Sequence, residues 1–164
     1  MLRRVFQALF HLPAQRAPEP TRRALNLPLE PTLKNMPALA ERIVQVTRNL
    51  DNVQLDYSAE SLNWVDGRIL QFRQERQTFN DIGETVFLFG CYAGEVFSRT
   101  LGSSWAEPSE AERTLGFSMP GVRSKDGQFW NPIGKAFRLL ENGPEGSIHH
   151  LWVVASSATA RGGA

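Results

Sequence analysis

Residues 79–102 constrain the fold more than any other stretch of this chain. They form its most apolar run, with Ile82, Val86, Phe87, Leu88, Phe89, Cys91, Tyr92, Val96 and Phe97. Placed on a helix, these side chains run nearly all the way round. A helix that is apolar on every side must be covered by neighbours on several sides. Asn80 or Asp81 can cap its start, and Gly102 can end it. Asp81, Glu84, Glu95 and Arg99 lie within it and point to a core helix rather than a membrane span. The run therefore predicts a central helix against which the other elements pack.

Gly90 and Gly94 sharpen that expectation. Positions four apart share one helical face. Each glycine costs about 0.5–1 kcal/mol against alanine in a helix interior, so a close backbone approach should offset the cost. The expected occupant of this face is one of the two preceding helices, and a ligand touching the backbone is the alternative. The motif is not a phosphate loop, because no Gly-Lys-Ser/Thr follows and no strand precedes it.

The other elements follow from periodicity. Leu39, Ile43, Val46 and Leu50 form a stripe that begins near Pro37 and stops at Asp51-Asn52. A second helix, capped by Ser58 with Glu60 in its first turn, carries Leu62, Val65, Ile69 and Phe72. After Gly102 the pattern changes to short β segments at 104–107, 114–119, 122–124 and 128–130. Lys125-Asp-Gly127 marks a hairpin turn. Asn131, Pro132 and Gly143 bound a further helix with Ile133, Ala136, Phe137 and Leu140 on one face. Residues 148–155 read as a helix behind Ser147, with strand as a rival reading because of Val153-Val154. The predicted class is α+β: N-terminal helices, an antiparallel sheet of about three strands, and one or two C-terminal helices. The expected organisation is an amphipathic segment 1–12, a Pro-rich linker 13–36, one globular domain 37–155 and a disordered tail 156–164.

Charge and cysteine usage narrow the function classes. Residues 1–34 hold six Lys/Arg and two acids, a net +4, while the remainder holds 12 basic and 15 acidic residues, a net −3. A mildly acidic body argues against a nucleic-acid-binding protein and for a basic protein partner. Cys91 is the only cysteine, which rules out an intramolecular disulfide and suits a reducing cytoplasm. In residues 1–12, Leu2, Val5, Phe6, Leu9, Phe10 and Leu12 share a helical face beside Arg3 and Arg4. Docking on the body is the plainer reading, and contact with an anionic membrane surface is the sharper one.

Few residues suggest chemistry. His149 and His150 are adjacent and point to different faces, so they do not share a metal easily. No His-Glu-x-x-His or Gly-x-Ser-x-Gly occurs. No catalytic, cofactor or metal residue is assigned. The candidates for partner or ligand contact are Tyr92, Glu95, Arg99, Trp105 and Trp130. Glu95 and Arg99 form the polar stripe of the apolar helix. Trp105 and Trp130 lie on a small sheet whose second face is poorly covered, which suits a binding anchor.

Three segments carry a resemblance. Ser58-Ala-Glu-Ser-Leu62 begins one helix, Gly90-Cys-Tyr-Ala-Gly-Glu-Val96 lies in the next, and Pro132-Ile-Gly-Lys135 opens a helix that ends in Glu141-Asn-Gly143. Over residues 53–147 the chain resembles a group of small bacterial domains of unknown function built on these motifs. The resemblance implies a stand-alone cytoplasmic protein or accessory module, in some members with the look of an immunity protein. It implies no catalytic residue. The leading expectation is thus a non-enzymatic cytoplasmic protein-binding module, an adaptor or immunity protein. The alternatives are a small-molecule-binding protein or enzyme with a pocket around Glu95, and a membrane-peripheral protein acting through residues 1–12.

Overall fold

The computed structural model describes residues 21–162, so the segment 1–12 and the first part of the Pro-rich stretch lie outside the described residues. The elements run α1 (Met36–Leu50), α2 (Ser61–Gln74), α3 (Phe79–Leu101), β1 (Ser104–Ala106), α4 (Glu110–Thr114), β2 (Gly121–Arg123), β3 (Phe129–Trp130), α5 (Pro132–Asn142) and α6 (Ile148–Gly162). The class is α+β, as the periodicity predicts. The sheet is antiparallel in the order β1-β2-β3, with Val122 opposite both Trp105 and Trp130.

The central helix is α3. Its cap is Thr78 rather than Asn80 or Asp81: the Asp81 carboxylate accepts from the Thr78 backbone N–H at 2.7 Å. Ile82 is non-helical (φ −133°, ψ 19°) and kinks the first turn, and Gly102 ends the helix in the left-handed region (φ +67°). Residues from Val86 to Phe97 are all buried. α3 packs mainly against α1 and α5.

The glycine face receives different neighbours from those expected. A Cβ at Gly90 would lie 2.6 Å from the Ile133 Cα, and one at Gly94 would lie 2.2 Å from the Trp105 ring. The elements that follow α3 fold back onto this face. α1 instead packs through side chains such as Leu39 and Ile43, which need no glycine opposite them.

Several boundaries move. Met36 opens α1 and is fully buried, so the linker stops one residue short of its expected end. The packed face of α1 is Met36, Leu39, Ala40, Ile43, Val44 and Thr47, while Leu50 in the last turn is 80% exposed. Ser58 does not cap α2 at its first turn; its hydroxyl accepts from Ser61 N–H at 3.2 Å, and the helix starts at Ser61. The 114–119 strand does not form. Ser109 and Glu112 make a capping box that starts a short helix, and Gly116 at φ +96° breaks the chain after it. The expected tail is helical to Gly162, held by buried Ala155 and by Ser157 and Thr159 hydroxyls bonded back to the preceding turn.

Asp66 on α2 is a buried carboxylate. Its carboxylate accepts from Ile148 N–H at 2.8 Å, His149 N–H at 3.2 Å and the Ser147 hydroxyl at 2.6 Å. It therefore caps α6 from another helix, satisfying donors that a helix start leaves unpaired.

Two glycine substitutions should have opposite signs. Gly67 in α2 faces open space, so Gly67→Ala should stabilise by about 0.5–1 kcal/mol through helix propensity alone. At Gly90 the obstacle is the backbone of Ile133, which no rotamer change relieves, so the overpacking cost of about 1–3 kcal/mol should win. Urea unfolding of the two variants checks the pair.

Candidate functional site

Four of the five residues singled out from the sequence meet in one place, and it is an internal brace. The Tyr92 side chain is fully buried. Its hydroxyl accepts from Tyr57 N–H at 2.8 Å and shares a 2.6 Å hydrogen bond with the Ser61 hydroxyl. Burial pushes the phenol above its ordinary pKa. The Tyr57 ring stacks on Tyr92 at 4.8 Å, the Arg99 guanidinium lies 3.4 Å above the Tyr57 ring centroid, and the Tyr57 hydroxyl donates to Glu41 at 3.0 Å. Glu95 is 7% exposed. It accepts from the Trp105 indole N–H at 2.8 Å and faces Arg99 Nε at 3.5 Å. Burial, reinforced by Glu95, raises the Cys91 thiol well above its ordinary range, so it is a poor nucleophile.

Neither tryptophan is an exposed anchor. Trp105 is half-buried with its ring on Gly94, and Trp130 is buried at 8% exposure opposite Val122. The sheet contacts α3 through β1 and β2, and Phe117, in the loop that replaces the expected strand, meets Phe129 of β3.

That loop forms the edge of a groove of about 580 Å³. Its floor is aromatic. Phe79 and Phe137 pack at 5.3 Å between centroids, Phe117 meets the edge of Phe129 at 5.6 Å, and Trp130 contributes from beneath. One wall is a face of α5, where Asn131, Lys135, Arg138 and Glu141 recur every three or four residues. Arg22 stands on the opposite side, paired with Glu141 and 5.1 Å above the Phe79 ring. Three cations and one carboxylate therefore ring an aromatic floor. Tyr92, Glu95, Arg99 and Trp105 do not line it. A volume of this size lies within the range of ligand and peptide sites.

Arg22 is placed by a strap, residues 21–27, laid across the start of α3. The Arg23 guanidinium grips both oxygens of Glu84, one at 2.7 Å, and its Nε donates to the Asn80 carbonyl at 2.9 Å. The Asn26 N–H adds a third bond to Glu84 at 2.8 Å. Leu25 closes over Gly83, where a Cβ would come within 2.7 Å of it. The Arg23 contacts and the Asn26 N–H hold the Glu84 carboxyl at about 2.

The sequence did not point to the groove. The α5 motif isolates Lys135, and the three-residue spacing to Arg138 and Glu141 is visible, but nothing local says that this polar face borders a cavity. Phe79 and Arg22 join it only through tertiary folding. Among the described residues no three His, Cys, Asp or Glu side chains form a metal-binding group, and no helix is long and apolar enough to cross a membrane. No protein-family model, curated protein or solved structure matches the chain.

The strap should fail in acid with a defined sign. Glu84 drops from an ordinary value of 4.5 to about 2 in the folded chain. Its contribution is complete above the unfolded value and fades as pH falls toward about 2. The gap in thermal midpoint between wild type and Glu84→Gln should be widest near neutrality and close at about pH 2. Thermal melts across that range check it, and a gap independent of pH would contradict the ionic role.

Proposed function

We propose that this chain is a non-enzymatic cytoplasmic protein-binding module, of the adaptor or immunity type, whose groove takes an acidic segment bearing an aromatic or aliphatic anchor. The observation that carries this reading is the basic rim on an aromatic floor: Arg22, Lys135 and Arg138 against Glu141, above five rings. Rings supply contact area at little entropy cost, and rim cations select and steer an anionic partner. Among the described residues that line the groove, Glu141 is the only carboxylate, and it is already paired with Arg22. That set of groups is suited to holding a ligand rather than to moving a proton. The single buried cysteine agrees with a reducing compartment.

The groove's rim favours a partner of the opposite sign to the one that the body's average charge favours. The body is acidic on average, which favours a basic partner, but the surface that offers an aromatic floor carries excess positive charge. An acidic partner fits it better.

Selection of a random-peptide library on the full chain should enrich Asp or Glu beside Phe, Trp or Leu. The enriched peptides should bind the Lys135→Glu/Arg138→Glu double variant at least about tenfold more weakly, with the wild-type affinity falling as salt rises. Peptides that bind both proteins equally would overturn the reading. So would failure of selection combined with variant-sensitive binding to phosphatidylserine vesicles, which would assign the groove to a lipid headgroup.

A further inference from the structure

The groove continues past Arg22. A second cavity of about 420 Å³ shares Arg22, Phe79 and Glu141 with the first. These three residues are stacked, with the guanidinium over the Phe79 ring and in contact with the Glu141 carboxylate. What separates the two cavities is therefore a bar of side chains. Arg22 and Glu141 are 53% and 37% exposed, and an ion pair of that exposure exchanges readily with another anion.

The two lobes offer different chemistry. The first is lined by rings. The second is lined by Gln77, Thr78, Asn80 and Asn142, with Leu140 as its main aliphatic surface. Asn80 is committed to the strap, bonding Arg23 N–H and the Thr21 carbonyl. Gln77 and Asn142 supply the remaining amides. Both lobes follow one face of α5, from Asn131 to Asn142. At about 1.5 Å per residue that face is roughly 16 Å long, the span of about five residues of extended chain.

Building on the protein-binding reading above, we infer that the two lobes are one groove for an extended acidic segment of about five residues. Its aromatic or aliphatic anchor enters the ring-lined lobe. Its carboxylate replaces Glu141 on Arg22. The main chain that follows is hydrogen-bonded by Gln77 and Asn142. Charge argues for a partner in trans: residues 1–20 carry Arg3, Arg4 and Arg16 against Glu19, the same sign as the rim they would have to meet.

The test uses the full chain and the acetylated peptide amide Phe-Leu-Glu-Ser-Asn, with Phe-Leu-Gln-Ser-Asn as its neutral partner, followed by amide chemical shifts. The Glu peptide should shift the Trp130 indole and the side-chain amides of Gln77 and Asn142 together. Glu141→Gln removes the competing carboxylate at constant shape, so it should tighten the Glu peptide by about fivefold and leave the Gln peptide unchanged. Arg22→Gln should erase the preference for Glu over Gln. Shifts confined to the Trp130 lobe, or equal affinity of wild type and Glu141→Gln for the Glu peptide, would overturn the continuous groove while leaving the protein-binding reading to the library selection. Absence of shifts in both lobes would overturn the inference outright. Loss of variant-sensitive peptide selection would remove the underlying function instead.

Discussion

At the crossing of α3 and α5, Gly90 lets the Ile133 backbone lie where a side chain would otherwise stand. Four residues on, Gly94 does the same for the Trp105 ring. The first approach sets how deeply α5 beds onto the central helix. That turns Ile133, Ala136 and Leu140 inward and leaves Lys135, Arg138 and Glu141 facing out. The second approach seats β1, and the antiparallel register then carries β2 and β3 into place, including Phe129 and Trp130. Both walls of the groove are thus positioned by two absent side chains. The helix-propensity cost of the glycines is recovered as close packing of two later elements onto one helix face.

Two buried carboxylates hold the second half of the chain to the first. Glu95 binds the Trp105 indole and fixes β1 on α3, and Asp66 caps α6 from α2. Burying a carboxylate is costly unless its oxygens find donors, and here each finds them across a long sequence separation or a change of element. An indole N–H and backbone N–H groups accept only one geometry each. Such pairs therefore fix orientation more strictly than apolar contacts do. The same logic explains why Tyr92, whose hydroxyl joins Tyr57 and Ser61, looks functional in the sequence and is structural in the fold.

The helical architecture was legible because its signals are local. Proline and asparagine at the start of α5, Gly102 after α3 and the apolar spacing of α2 each depend on a few neighbouring residues. What failed was the competition between local signals. Alternation of Leu115, Phe117 and Met119 suggested a strand, yet the Ser109–Glu112 box begins a helix just upstream and Gly116 redirects the chain. The small polar end of the chain read as a tail, although its alanines favour a helix and Ala155 is buried. The groove was illegible for a different reason. Its parts come from residues 22, 79, 117, 129 and 135–141, and no periodicity joins segments that meet only in three dimensions.

Net charge describes the body on average and not any one part of its surface. Of the body's 15 acids, Glu84 is engaged with Arg23, Glu112 with Arg123, Asp51 with Arg68 and Glu41 with the Tyr57 hydroxyl, and Asp66 and Glu95 lie in the interior. A carboxylate paired with a cation contributes little field beyond its partner. A surface charge acts over about a Debye length, roughly 8 Å at physiological salt. Among the described residues that line it, the groove presents Arg22, Lys135 and Arg138 with Glu141 as the one carboxylate. The sum over the body is negative, whereas the charged side chains that line the groove are three cations and one carboxylate.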